Sequence, residues 1–146
     1  MIYIMRGVQG SGKSTWVSKL PESFVRLSAD NYYMNNGKYE FDPSKIGTAH
    51  NWCLDLFLRA VRDFDVVVDN TNIEIWEFAP YYRVAEAVGR PVQIVEMVCD
   101  PEIAAARNIH GVSRRVVIKK HKRLMKIELP NWWNRIKVNY ESRIDG

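Results

Sequence analysis

Short apolar runs alternate along the chain with longer stretches in which apolar residues recur every three or four positions. The runs are Ile2 to Met5, Phe24 to Leu27, DVVVD at 65–69 and VQIVEMV at 92–98. Runs of this length, bounded by Gly, Pro, Asn or Asp, read as strands buried on both faces of a parallel sheet. Between them the spacing predicts helices. One runs from Lys13 to about Leu20, where Pro21 ends it. Asp42 and Pro43 form an N-cap with Pro at the first helical position, opening a helix to about Arg62 with Ile46, Ala49, Cys53, Leu56 and Ala60 on one face. Thr71 or Asn72 can cap a third helix, which ends at Gly89. Pro101 opens a short helix to about Asn108, and Ser113 caps a longer one to about Glu128, stopped by Pro130. The stretch SADNYYMNNGKYEFD (28–42) is rich in Asn and Gly and reads mostly as loop. A last strand is expected around Ile136 to Tyr140. The alternation predicts an α/β sandwich: a central parallel sheet of about four or five strands with helices on both faces.

No repeat, low-complexity tract or linker interrupts the 146 residues, so one domain over 1–146 is expected. A chain of this length buries about two thirds of its unfolded surface. Cys53 and Cys99 stand in apolar surroundings and read as reduced core residues. The N-terminus lacks the basic flank and long apolar region of a signal peptide, and no apolar run approaches a membrane span. The expectation is a cytoplasmic protein.

The net charge is +4, and it is concentrated. Arg107, Arg114, Arg115, Lys119, Lys120, Lys122, Arg123 and Lys126 stand in one segment, with His110 and His121 among them and no acidic residue. Such a segment either meets an anion or forms a solvated helix face. Arg115, Lys119, Lys122 and Lys126 share one side of the predicted helix, and Val116, Val117, Leu124 and Ile127 supply its apolar side.

The chemistry starts at GVQGSGKST, residues 7–15, between the first strand and the first helix. The stretch fits G-x-x-x-x-G-K-[ST], whose backbone amides cradle phosphate oxygens. Gly7, Gly10 and Gly12 let the backbone approach the phosphates, and Ser11 and Thr15 belong to the same cradle. Lys13 is expected to reach the β- and γ-phosphates of ATP, Ser14 to bind Mg²⁺, and the helix start to add its positive end. The chain has neither the N-K-x-D nor the D-x-x-G string of a guanine-nucleotide switch. It is also short for a motor or oligomeric ATPase, which leaves a small kinase.

A kinase needs an acceptor-side base and cations over the phosphates. Asp30 follows the second strand and falls at the carboxyl ends of the sheet, where ligands gather. It is a candidate general base; an Asx-turn or helix cap is the alternative. Asp69 ends the third strand, as the acidic Mg²⁺ partner of a phosphate loop does. Asn70, Thr71 and Asn72 follow it and serve either the acceptor or the next helix cap. Arg107 can swing over the phosphates from a lid spanning about 101–128, with Gly111 as a hinge. Surface ion pairs are the alternative for Arg107 and the favoured reading of Arg114 and Arg115. Tyr32, Tyr33, Tyr39, Phe41, Trp132 and Trp133 either stack on bases or pack in the core.

GVQGSGKSTW, SADNYY, YEFDPSKIGTAHNWC, VVVDNTNIEIWEFAPY and ARNIHGVSRRVV occur in that order. Together they resemble the small P-loop kinase domain of the Nedd-four-binding protein 2 type and, more distantly, the kinase domain of phage polynucleotide 5′-kinases. The resemblance runs from Met1 to about Ile127. It implies phosphate transfer from ATP, with activity on 5′-hydroxyl ends of nucleic acid the best-known outcome, and a P-loop at Gly7 to Thr15, a general base at Asp30 and a lid arginine at Arg107. Two positions depart from the phage pattern: Tyr33 stands where those enzymes place an acceptor-binding arginine, and Ile109 and His110 stand where they carry a second lid arginine.

The expected function is therefore an ATP- and Mg²⁺-dependent kinase of DNA or RNA 5′-hydroxyl ends. Tyr33, Asn70, Thr71, Asn72, Lys119 and Lys122 are the candidate acceptor contacts. The alternatives are a kinase of a small hydroxylated molecule or of hydroxymethylated bases in DNA, and a nucleotide-gated binding module without turnover. Asp30 and Arg107 speak against the last, since a binder needs neither.

Overall fold

In the computed structural model, which describes residues 1–109 and 111–140, the apolar runs pair side by side. They are β1 (Ile2–Arg6), β2 (Val25–Leu27), β5 (Val66–Val68), β6 (Val92–Met97) and β7 (Arg135–Val138). All neighbours run parallel, in the order β2-β5-β1-β6-β7. A separate antiparallel hairpin joins β3 (Met34–Asn35) to β4 (Lys38–Tyr39). The helices are α1 (Lys13–Ser18), α2 (Ile46–Ala60), α3 (Ile75–Ala87), α4 (Pro101–Arg107) and α5 (Arg114–Lys126). His110, from the basic segment, and residues 141–146 lie outside the described residues.

Alternation along the strands builds the layers. Ile2 and Ile4 of β1, Val66 and Val68 of β5, and Val92 and Ile94 of β6 face one apolar cluster. That cluster is completed by Cys53 and Phe57 of α2 and by Phe78, Tyr81 and Tyr82 of α3. Met5, Val67, Val95 and Met97 face the other side, against Val17 and Trp16 of α1. The five-stranded sheet with helices on both faces matches the architecture expected from the sequence, and β7 supplies the fifth strand where the tail predicted one. Trp133 leads into it, stacked on Tyr82 at 4.4 Å, so this tryptophan is core and not a stacking platform.

Local departures have local causes. Asp42 caps a short 3-10 turn (Pro43–Lys45), accepting from Ser44 N at 3.0 Å, and α2 begins only at Ile46. Phe57, not Leu56, completes the buried face of α2, because its ring meets Tyr81 edge-on at 5.0 Å. Ile46 is exposed, one turn before the helix reaches the sheet. Neither Thr71 nor Asn72 caps α3. The helix starts at Ile75, with Glu74 at the N-cap and the Glu77 side chain accepting from Glu74 N at 2.9 Å.

One buried ion pair ties the sheet to the loop after β5. Arg6 donates to Glu96 of β6 at 3.0 Å and to the carbonyls of Asn72 (2.9 Å) and Ile73 (2.7 Å). Burial pushes the Arg6 pKa down, and the Glu96 carboxylate opposes that shift. All three acceptors keep the guanidinium satisfied where an unpaired charge would be costly.

Candidate functional site

The loop from Gly7 to Gly12 leaves β1 at the carboxyl edge of the sheet, between neighbours reached by crossovers in opposite directions. Such a switch point is where open α/β sheets bind ligands. Two glycines are required by space as well as by dihedral. Gly10 has φ 81°, and a Cβ there would stand 1.9 Å from the Ala104 carbonyl oxygen of α4. Gly12 has φ 105°, and its Cβ would stand 2.9 Å from the Tyr140 ring and 3.2 Å from Met97 Cε. The loop is thus held between α4 and the segment after β7. Gly7 N donates to the Thr71 carbonyl at 2.9 Å, which joins the loop to the end of β5.

Lys13 folds back over this loop, donating to the carbonyls of Gly7 (2.8 Å) and Val8 (3.1 Å). Burial pushes its pKa down to about 8; the charges of Asp69 and Asp30 oppose this, and Lys120 adds to it. Ser14 and Thr15 are exposed at the start of α1. Among the described residues, the buried side-chain polar atoms without a hydrogen-bond partner are Gln9 Oε1, Ser11 Oγ and Asn72 Oδ1. All three sit on the loops at the carboxyl ends of β1 and β5. An unsatisfied buried group costs about 1–3 kcal/mol; Gln9 and Ser11 stand on the phosphate loop itself, where polar atoms of a ligand or of water can complete them.

Asp30 lies in a 3-10 turn (Ala29–Tyr33) directly after β2. The cap of that turn is Ser28, whose Oγ accepts from Asp30 N at 3.3 Å. The carboxylate of Asp30 is therefore not spent on capping. It is exposed and accepts from the Tyr39 hydroxyl at 3.4 Å. Asp69 N donates to Leu27 O at 2.7 Å, which places the Asp69 and Asp30 segments side by side. Both carboxylates act on Lys13, so the three charged groups share one mouth.

Three expected acceptor contacts have other work. Asn72 is fully buried, with φ 50°, and its amide donates to Met5 O at 2.7 Å; it struts the phosphate loop from below. Asn70 Oδ1 accepts from Ala29 N at 2.9 Å and so fixes the turn that carries Asp30. Tyr33 is only 6% exposed and packs edge-on against Phe41 at 5.0 Å, too enclosed to replace an acceptor-binding arginine. Thr71 remains partly exposed at the mouth.

The lid region forms two helices packed onto the loop. Val8, Ala104, Val117 and Leu124 share one apolar cluster, which seats α4 and α5 beside the phosphate cradle. Arg107, at the end of α4, donates to Tyr140 O at 3.1 Å. Arg114 pairs with Glu102 and Arg123 with Glu74, which makes both surface ion pairs. Arg115, Lys119, Lys122 and Lys126 are exposed along one side of α5, as their spacing predicts, whereas Val116 faces solvent instead of the core. Sequence reading passed over Lys120. It stands between buried Val117 and Leu124 on the inward side, and its charge reaches Lys13. Tyr140 was also missed, because its contact with Gly12 is made across the fold; Tyr39 was expected only as a stacking or core ring, and its hydroxyl contact with Asp30 was not.

The family described as an AAA domain (AAA_33) matches residues 2–122. The chain is 35% identical over 131 residues to human NEDD4-binding protein 2, across 82% of this chain and 7% of that protein. It is 49% identical over 100 residues to the uridine kinase of Borrelia garinii subsp. bavariensis, across 62% of this chain and 47% of that enzyme. A chain of the solved Pnkp1/Rnl/Hen1 RNA repair complex shares the fold with a TM-score of 0.68 at 16% identity, over 85% of this chain and 43% of that one. The chain spans about half the length of the uridine kinase and a small part of the human relative. Among the described residues, no helix is long and apolar enough to cross a membrane. Strand order, phosphate loop and sequence match agree, and the chain belongs to the AAA_33 family as a P-loop kinase domain.

Proposed function

We propose that the domain transfers the γ-phosphoryl group of ATP to the 5′-hydroxyl end of a DNA or RNA strand. The observation that carries this reading is the shared mouth of Lys13, Asp30 and Asp69, with Lys120 of α5 reaching it from the lid. The cradle from Gly7 to Thr15 takes the phosphates, with Ser11 Oγ and the Lys13 ammonium as donors. The Asp30 carboxylate accepts the proton of the attacking hydroxyl. The acceptor oxygen forms its bond to the γ-phosphorus, the bond from that phosphorus to the β–γ bridging oxygen breaks, and ADP leaves. Arg107 turns from Tyr140 O toward the phosphates when they are present, and Lys120 supplies a second cation from α5.

The hard oxygen donors at the mouth, Ser14 Oγ and the Asp69 carboxylate, fit Mg²⁺. Held by these two groups, Mg²⁺ would supply positive charge against the phosphates during transfer. Asp69→Asn is expected to raise the Mg²⁺ concentration giving half-maximal activity while leaving the fold intact. A Mg²⁺ titration identical to wild type would remove Asp69 from the metal site.

The exposed row Arg115, Lys119, Lys122 and Lys126 supports an extended anionic acceptor. Each phosphate contact on a single strand contributes a slope of about −0.7 in log K against log salt. Reversing Lys119 and Lys122 to Glu should therefore raise the KM for oligonucleotide and flatten its salt dependence, with the KM for ATP nearly unchanged. The deciding assay uses γ-labelled ATP with 5′-hydroxyl DNA and RNA, duplex ends, nucleosides and hydroxymethylated DNA. The second reading, a nucleoside kinase, is favoured by the 49% identity to a uridine kinase. Equal use of uridine and oligonucleotide, or a salt-insensitive KM, would select it. ATP binding without transfer to any acceptor would leave a nucleotide-gated binding module.

A further inference from the structure

We infer that the β3–β4 hairpin is an acceptor arm, in which the ring of Tyr39 stacks on the terminal nucleobase while its hydroxyl positions the Asp30 carboxylate. The inference rests on the 5′-hydroxyl reading and names the part of the acceptor that this segment holds.

The hairpin stands apart from the main sheet. Its turn is Asn36-Gly37, with φ of 51° and 80°, the two positive values that a tight two-residue hairpin needs. A Cβ at Gly37 would meet nothing within 4 Å, so the tip projects clear of the body. Two strands of two residues cannot support themselves in water. The root is held instead by buried Tyr33, whose carbonyl accepts from Glu40 N at 2.8 Å and whose ring meets Tyr39 at 5.9 Å.

Tyr39 and Phe41 cover Tyr33 with one edge, yet about half of each ring, and of Met34, stays open to solvent. Met34 is 49% exposed, Tyr39 54% and Phe41 52%. Met34 and Tyr39 are cross-strand partners, so their side chains lie on the same face. That face ends at the catalytic mouth, because the Tyr39 hydroxyl reaches Asp30 Oδ1. The occupant must therefore be flat and apolar in its middle, and must carry a hydroxyl to within reach of Asp30. A nucleobase attached to a 5′-hydroxyl sugar meets both conditions. Burial and the Asp30 charge push the Tyr39 phenol above its ordinary pKa, which keeps the hydroxyl a donor. It retains its proton throughout and orients the carboxylate that takes the proton of the acceptor.

The test is a substrate–protein double cycle. Wild type, Tyr39→Phe and Tyr39→Ala are assayed with a 5′-hydroxyl oligonucleotide and with the same strand lacking its 5′-terminal base. Loss of one base–aromatic stack is expected to raise the KM about tenfold. Tyr39→Ala should show that rise on the intact strand and almost none on the abasic one. Wild type should discriminate against the abasic strand by a similar factor. Tyr39→Phe keeps the ring and should hold the KM while kcat falls about three- to tenfold, the cost of one lost hydrogen bond. Equal KM values for the intact and abasic strands in wild type overturn the inference, whether or not the variants fold. So does a KM rise in Tyr39→Ala that is the same on both strands, as a sugar contact or a purely structural tyrosine would give. A wild-type protein that phosphorylates another acceptor and neither oligonucleotide overturns the 5′-hydroxyl reading itself.

Discussion

Asp30→Asn should bind ATP as wild type does and transfer its phosphate about 10²- to 10⁴-fold more slowly, the range for loss of a positioned general base. The substitution changes almost nothing else. The turn that carries the residue is capped by Ser28 and held by Asn70, so it does not depend on the carboxylate. The amide oxygen of Asn can still accept from the Tyr39 hydroxyl, which holds the new side chain near its old place. What disappears is a group able to take a proton when the acceptor oxygen attacks. A single-turnover experiment with γ-labelled ATP separates this from a binding defect, since the chemical step slows while nucleotide affinity stays. A collapse of ATP affinity would instead make Asp30 part of the phosphate or metal site. Transfer at the wild-type rate would place the base elsewhere, and no other described carboxylate combines exposure with a position at the end of β2.

The strands and the phosphate loop were legible because their signals are local. An apolar run bounded by turn residues has few other solutions, and the loop's glycines are dictated by backbone dihedrals within a few residues. The position of Asp30 was legible for a topological reason: a residue just after a parallel strand must lie at the carboxyl edge, whatever the rest of the chain does. The errors concern side-chain contacts that no motif announces, some of them made across the fold. Asn72 reads as a helix cap or acceptor contact until Met5 O, 67 residues earlier in the chain, claims its amide. Tyr33 reads as an acceptor contact until the hairpin folds over it. Tyr140 carries no motif, yet its ring limits Gly12 and its carbonyl receives Arg107. Lys120 is intermediate. Its neighbours Lys119 and Lys122 define the exposed row, but its own spacing of three from Val117 and four to Leu124 already puts it on the inward side. The signal was present and was masked by the density of basic residues around it.

Lys13→Met should lower transfer by two orders of magnitude or more, since removing one preorganised donor to the developing charge costs on the order of 3 kcal/mol. The same substitution should raise the stability of the nucleotide-free protein at neutral pH. In the unfolded chain Lys13 has its ordinary pKa near 10.5, and in the fold burial holds it to about 8. Between these values the unfolded state binds more protons, so stability rises with pH. Below about pH 8 the ammonium is charged in both states, and the fold bears the whole cost of burying it, on the order of 3 kcal/mol for a shift of this size. Methionine fills similar space without a charge. Its two lost hydrogen bonds, to the carbonyls of Gly7 and Val8, offset part of the gain. The melting temperature of Lys13→Met should therefore exceed that of wild type at pH 7, with the difference shrinking as pH rises through 8 toward 10.5. ATP reverses the balance, because its phosphates favour the charged form. Above pH 8 the wild type must take up a proton to bind, and its affinity should fall by up to about tenfold per pH unit. The variant should bind weakly with no such fall. Equal melting curves at pH 7 would mean that the ammonium is solvated in the free protein. Wild-type transfer by Lys13→Met would mean that this loop does not hold the donor.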